Sequence, residues 1–152
     1  MIGSKITVIG AGGWGTAMAI FLAFDNSNLT WTHNPEIVDN IKHKQENSIY
    51  LPNVKIPDNV LLTNDVNEIE QSDIVVNGIP TQYIRTTVEK YQINLKNKLI
   101  VNGAKGIEVT SLKRISEVFK DIAYTAPENY AVLTGPSHAE EAATKHPTTV
   151  VV

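Results

Sequence analysis

The 152-residue sequence contains no cysteine. That excludes a disulfide framework, a thiolate metal site and a cysteine nucleophile, and it fits a reducing compartment. Positive charge is not in excess either: 13 lysines and arginines stand against 16 aspartates and glutamates, mixed along the chain, for a formal charge of -3. No basic field draws the chain to a polyanion, so nucleic acid is not an expected partner. The four histidines, His33, His43, His138 and His146, include no pair at a metal-binding spacing, and no metal site is expected. Internal repeats and low-complexity segments are missing as well. One nearly charge-free run, Ile6 to Phe24, lies where a signal peptide or membrane anchor would lie. Its glycines at 10, 12, 13 and 15 would break an apolar helix, and only Lys5 flanks them as a base, so a buried strand and helix account for the run. No membrane span is expected, and the cytoplasm is the expected location.

What the chain does have is an ordinary globular composition, 42% hydrophobic and 19% charged, in a length that fits one domain and buries roughly two thirds of its unfolded surface. Short apolar runs alternate with amphipathic stretches throughout, the mark of parallel strands joined by covering helices. Ile6–Ile9 reads as a first strand, Gly13–Phe24 as a buried helix closed by Asp25-Asn26-Ser27-Asn28, and Leu29–Thr32 as a second strand. A helix over Glu36–Gln45 with Ile37, Val38 and Ile41 inward leads to an irregular stretch from Ser48 to Val60, punctuated by Pro52 and Pro57. Further strands are expected at Leu61–Thr63, Asp73–Ile79, Lys98–Asn102, Tyr130–Thr134 and from Thr148 onward. Helices are expected at Val66–Gln71, Thr81–Tyr91, Ser111–Ile122 and Ser137–Lys145. In the third of these, Leu112, Ile115, Phe119 and Ile122 recur at helical spacing. The predicted fold is α/β of the Rossmann type: a doubly wound, mainly parallel sheet with helices on both faces.

The segment Gly10-Ala11-Gly12-Gly13-Trp14-Gly15 sits between the first strand and the first helix of a βαβ unit, which is the context that makes a spaced-glycine fingerprint specific. Gly10 permits the tight turn, Gly12 lets backbone approach a pyrophosphate, and Gly15 lets the helix pack close on the strand. The helix N-terminus then faces the phosphates. The cofactor implied is NADPH or NADH. The end of the second strand, Thr32, His33 and Asn34, offers no carboxylate to hold a ribose 2′-hydroxyl, which leaves NADPH open. His33 is a donor for a 2′-phosphate, and Glu36, the nearest acid, restores NAD preference if its loop folds back.

Three more segments fall at carboxyl ends of strands, where open α/β sheets bind ligands. In Asn77-Gly78-Ile79-Pro80-Thr81-Gln82 a cofactor finds backbone with little side chain around Pro80. In Asn102-Gly103-Ala104-Lys105-Gly106-Ile107-Glu108 two glycines expose one lysine, a group suited to neutralising a phosphate or polarising a carbonyl. In Thr134-Gly135-Pro136-Ser137-His138-Ala139-Glu140, Ser137 and Glu140 fit a capping box, and the helix N-terminus also suits an anionic substrate group.

Taken together, VIGAGGWGTAMA, WTHN, YLPNVKIPDNV, AKGIE and LTGPSHAEE, in this order, resemble the bacterial-type NAD(P)-dependent glycerol-3-phosphate dehydrogenases over nearly the whole chain. The resemblance implies hydride transfer between dihydroxyacetone phosphate and sn-glycerol 3-phosphate, a step feeding phospholipid synthesis. It assigns Gly13, Trp14, His33 and Ala139 to the cofactor, Lys105 to cofactor and substrate, and Gly135 and Ser137 to the substrate. His33 stands where arginine is commoner. The resemblance also implies a second, mostly helical domain beyond these residues, carrying the proton-donor lysine and the surface of a homodimer. The expectation is therefore a cofactor domain that does not turn over alone. Another two-domain dehydrogenase of the same nucleotide fold, or a nucleotide-sensing module that kept the fold and lost the reaction, are the competing readings.

Overall fold

The computed structural model describes residues 3–25, 27–135, 137–144, 147 and 149–152. In chain order the elements are β1 (Ile6–Ile9), α1 (Gly13–Leu22), β2 (Asn28–Trp31), α2 (Pro35–Lys44), β3 (Glu46–Asn47), β4 (Leu51–Lys55) and β5 (Val60–Thr63). A 3-10 turn at Val66–Gln71 leads to β6 (Ile74–Asn77), and a second at Thr81–Tyr83 opens α3 (Ile84–Lys90). Then come β7 (Leu99–Asn102), β8 (Ile107–Glu108), β9 (Lys113–Arg114), α4 (Ile115–Ala123), a 3-10 turn at Pro127–Asn129, β10 (Tyr130–Val132) and α5 (Ala139–Ala143).

Six strands form one sheet in the order β10-β7-β6-β1-β2-β5, and every neighbouring pair is parallel. The order reverses between β1 and β6, so the chain leaves β1 toward one side and re-enters at β6 on the other. At such a switch point the loops diverge and leave a crevice at the carboxyl ends of the strands. This is the doubly wound Rossmann-type sheet expected from the alternation of apolar runs.

Alternate residues of a strand face opposite sides, and the core divides accordingly. Val8 and Val76 pack with Ala17, Met18 and Ile20 of α1, Ile37 and Ile41 of α2 and Leu51 and Val54 of β4. Ile9 and Val75 pack on the other face with Ile84 and Val88 of α3 and Ile115, Val118 and Phe119 of α4. Helix α1 is buried from Gly15 to Ile20. The sheet, β4 and α5 all pack against it, which is why its sequence has no polar stripe.

Several expected boundaries move. The stretch from Ser48 to Val60 is not a plain loop, because β4 pairs antiparallel with β3 and drives Leu51, fully buried, under α1. Helix α4 begins at Ile115 rather than Ser111: Leu112 takes a positive φ of 59°, which a helix does not admit, and β8 and β9 form a hairpin there. Leu112 is 74% exposed, not inward. The Ser137–Glu140 capping box does not form. The N-cap of α5 is His138, whose side chain makes no capping bond, so Glu140 is one position too early in the helix to reach back. The strand expected over Tyr130–Thr134 ends at Val132, and of the strand expected from Thr148 onward the described residues show only an isolated antiparallel bridge between Thr134 and Val151. Asn26, Pro136, Lys145 and Thr148, which figure in the expected turn, helix and strand boundaries, lie outside the described residues. Among the described residues no helix is long and apolar enough to cross a membrane.

Candidate functional site

The crevice is built around four glycines. Gly10 leaves β1 with φ at 97°, a conformation that L side chains rarely adopt. A Cβ on Gly15 would lie 1.8 Å from the Gly10 carbonyl oxygen, and one on Gly78 would lie 2.8 Å from Gly15 Cα. These three glycines let β1, α1 and the loop after β6 touch backbone to backbone. Gly12 differs: a Cβ there would meet nothing within 4 Å. Protein packing does not require a glycine at this position, and its bare side opens on the crevice.

Gly12 is the N-cap of α1, it makes no side-chain capping bond, and the first turn holds no acidic residue. The first N–H groups of a helix have no intrahelical acceptor, and the helix dipole leaves its N-terminus positive. An anion is what such an end accepts. The turn is held from below by Asn47, a buried side chain whose Nδ2 donates to Ala11 O and to Thr16 Oγ1, both at 2.9 Å, while its Oδ1 accepts from Tyr50 N at 3.2 Å.

From Gly10 and Gly12 a cavity of about 470 Å³ runs past Gly78, Ile79 and Pro80 to Trp31, His33, Lys90 and Tyr91. Its far wall is aromatic. Tyr91 stacks on His33 with ring centroids 5.6 Å apart and takes Trp31 edge-on at 5.5 Å.

A second group lies at the ends of β6, β7 and β10. The Trp14 indole packs on Gly103, where a Cβ would come within 2.5 Å of Nε1, and that Nε1 is buried with no hydrogen-bond partner among the described residues. Lys105 is exposed on the loop after β7, and its Nζ donates to Gly135 O at 3.0 Å. Side chains from the start of α3 fasten this loop. Thr81 Oγ1 donates to Lys105 O at 2.5 Å, Gln82 bonds both Ile107 O and Val109 N, and Arg85 forks onto the buried Glu108 carboxylate at 3.0 Å. That guanidinium holds the Glu108 carboxyl below its ordinary value, assisted by the Ser111 hydroxyl.

The sequence-predicted residues thus fall into two neighbouring groups. Gly10, Gly12, His33 and Pro80 line the cavity, with Gly13 beside Tyr50 O and Ala139 Cβ. Trp14, Lys105 and Gly135 meet around the loop after β7. Gly15 is buried in the packing beneath the turn, as its expected role requires. Ser137 is half-buried just before α5, with its N–H donating to Gly135 O at 3.0 Å. Sequence reasoning missed Tyr50, Lys90 and Tyr91 on the cavity wall, and Asn47 beneath it. Tyr50 opens the YLPN segment, which carries part of the family resemblance but points to no role for the residue itself. Lys90 and Tyr91 end a helix whose amphipathic pattern signals packing alone.

A family model for the NAD-dependent glycerol-3-phosphate dehydrogenase N-terminus matches residues 5–152. The chain belongs to this family. It is 43% identical over 151 residues to a glycerol-3-phosphate dehydrogenase [NAD(P)+] of Chlorobium phaeobacteroides, covering 97% of this chain and 45% of the relative. With the Bacillus subtilis protein of the same name it shares 39% over 151 residues, 96% of this chain and 44% of that one. The crystal structure of glycerol-3-phosphate dehydrogenase from Coxiella burnetii superposes with a TM-score of 0.84 at 28% identity, over 97% of this chain and 45% of that one. The chain therefore spans less than half the length of these dehydrogenases, and the span it matches is the family's N-terminal part.

Proposed function

We propose that these 152 residues form the cofactor-binding part of an NAD(P)-dependent oxidoreductase that interconverts dihydroxyacetone phosphate and sn-glycerol 3-phosphate. The observation that carries this reading is the open, acid-free N-terminus of α1 at Gly12, facing a 470 Å³ cavity with an aromatic far wall. That combination suits a pyrophosphate at one end and an adenosine at the other.

In this reading Gly10, Gly12, Gly13 and Gly15 bring the first turn of α1 onto the pyrophosphate, and Trp14, His33, Pro80 and Ala139 flank the rest of the dinucleotide. When bound, the nicotinamide ring gives or takes the hydride. Lys105 serves cofactor and substrate as a fixed positive charge, stabilising negative charge on a phosphate or a developing alkoxide. Gly135 and Ser137 present backbone and a hydroxyl to the substrate. The proton donor is placed outside these 152 residues, in the part of the relatives that this chain does not span, together with the surface of a homodimer. A general acid has to reach the oxygen it protonates, so the 152-residue polypeptide binds cofactor without turnover. The cytoplasm is the location that fits a cysteine-free dehydrogenase.

The test is a fluorescence titration of the polypeptide with NADH and NADPH, repeated with Lys105→Ala and His33→Ala. Saturable binding weakened by the substitutions supports the site. No binding of either cofactor overturns it.

A further inference from the structure

We infer that Lys90, from the end of α3, supplies the cation of a 2′-phosphate subsite and gives this chain a preference for NADPH over NADH. The inference rests on the cofactor site proposed above and deepens it.

The end of β2 is where Rossmann-type sheets read the adenosine ribose. Here that end carries Thr32 and His33, and the wall facing it is the last turn of α3. Tyr91 joins the two walls. Its ring stacks on His33 at 5.6 Å with an interplanar angle of 29°, and Lys90 Nζ lies 5.1 Å from its centroid. The cation–π contact keeps the exposed ammonium beside the cavity mouth instead of extended into solvent. An aromatic surface suited to a base thus has an ammonium and an imidazole beside it.

Charge of the opposite sign is missing from this end. Among the described residues that line the cavity there is no aspartate or glutamate, while His33 and Lys90 both line it. A ribose 2′-hydroxyl is recognised by a carboxylate, which repels a phosphate. Of the acids closest in sequence to this wall, Glu89 lies 4.0 Å from Arg85, and Glu36 is exposed in the first turn of α2. Neither belongs to the cavity wall. A doubly charged phosphate therefore meets attraction here, and a bare hydroxyl gains no matching acceptor. Thr87, also on this wall, adds a hydroxyl donor.

The test is the ratio of NADH to NADPH dissociation constants, with adenosine 2′,5′-bisphosphate and ADP as competing probes. The unmodified chain is expected to bind NADPH at least about tenfold more tightly than NADH, and to be displaced better by the bisphosphate than by ADP. In Lys90→Ala that ratio collapses toward unity, and in Lys90→Arg it persists. Lys90 is exposed, so thermal unfolding of the variants should match the parent and exclude a folding defect. Equal affinity for the two cofactors, or a preference unchanged by Lys90→Ala, overturns the inference and leaves the cofactor site standing. Failure of both cofactors to bind defeats the site itself.

Discussion

Asn77 and Asn102 sit opposite one another at the carboxyl ends of β6 and β7, and the side chain of the first donates to that of the second at 2.8 Å. Both are buried. Each also turns its own loop: Asn77 Oδ1 accepts from Ile79 N, and Asn102 accepts from Ala104 N and donates to Ala104 O. A single amide pair therefore shapes the two loops that carry Gly78–Pro80 and Gly103–Lys105. Asn102→Leu removes the bonds to Asn77 and Ala104 and leaves the buried Asn77 amide only a 3.5 Å contact with Ile79 O. A loss of about 2–3 kcal/mol is expected in urea unfolding, together with weakened cofactor binding.

The glycines of the turn separate into two kinds, and substitution should tell them apart. Gly15→Ala places a carbon 1.8 Å from Gly10 O, an overlap that only a backbone shift relieves, so the folded fraction should fall sharply by circular dichroism. Gly12→Ala meets no protein atom within 4 Å. It should cost about 1 kcal/mol or less as a poorer N-cap, yet reduce NADH affinity at least about tenfold.

How far the sequence alone reaches is visible at these same positions. The strand-glycine-helix context of Gly10–Gly15 marks the tight turn between β1 and α1, and the order of apolar runs marks the sheet, because both are local patterns. Asn77 and Asn102 lie 25 residues apart, and their pairing depends on the register of two strands, which no local spacing encodes. The same holds for Asn47 under the turn and for Lys90 facing His33. Leu112 misled for the opposite reason: it keeps helical spacing with Ile115, but its backbone is left-handed and a short hairpin takes the place of the first helical turn.

The Arg85–Glu108 pair should register in acid. Glu108 has a folded-state value below the ordinary 4.5, so its contribution is complete above about that pH and is lost as pH falls through the depressed value. Asp121, shared between Arg85 and Lys113, is depressed in the same direction. Urea midpoints followed from about pH 7 to about pH 3 should decline less steeply in Glu108→Gln than in the parent. Parallel curves would show that the pair carries no such linkage.

Burial pushes the Tyr130 phenol up to about 12, against a smaller downward pull from its hydrogen bond with Asn102. A folded value above the ordinary 10.0 means stability that is intact below that pH and is lost as pH rises through about 12. Ultraviolet titration of the folded chain should show one tyrosine ionising late, and Tyr130→Phe should remove that phase.

The uncapped start of α1 has a consequence for how occupancy of the cavity is observed. The N–H groups of Gly13 and Trp14, in the first turn and only partly buried, have no acceptor within their own helix, so in the free chain their protons should exchange with solvent deuterium faster than those of the helix interior. A ligand anion at that turn would supply the acceptors. The deuterium clock of two consecutive amides thus reads the loading of the cleft, with no added label and no catalytic turnover.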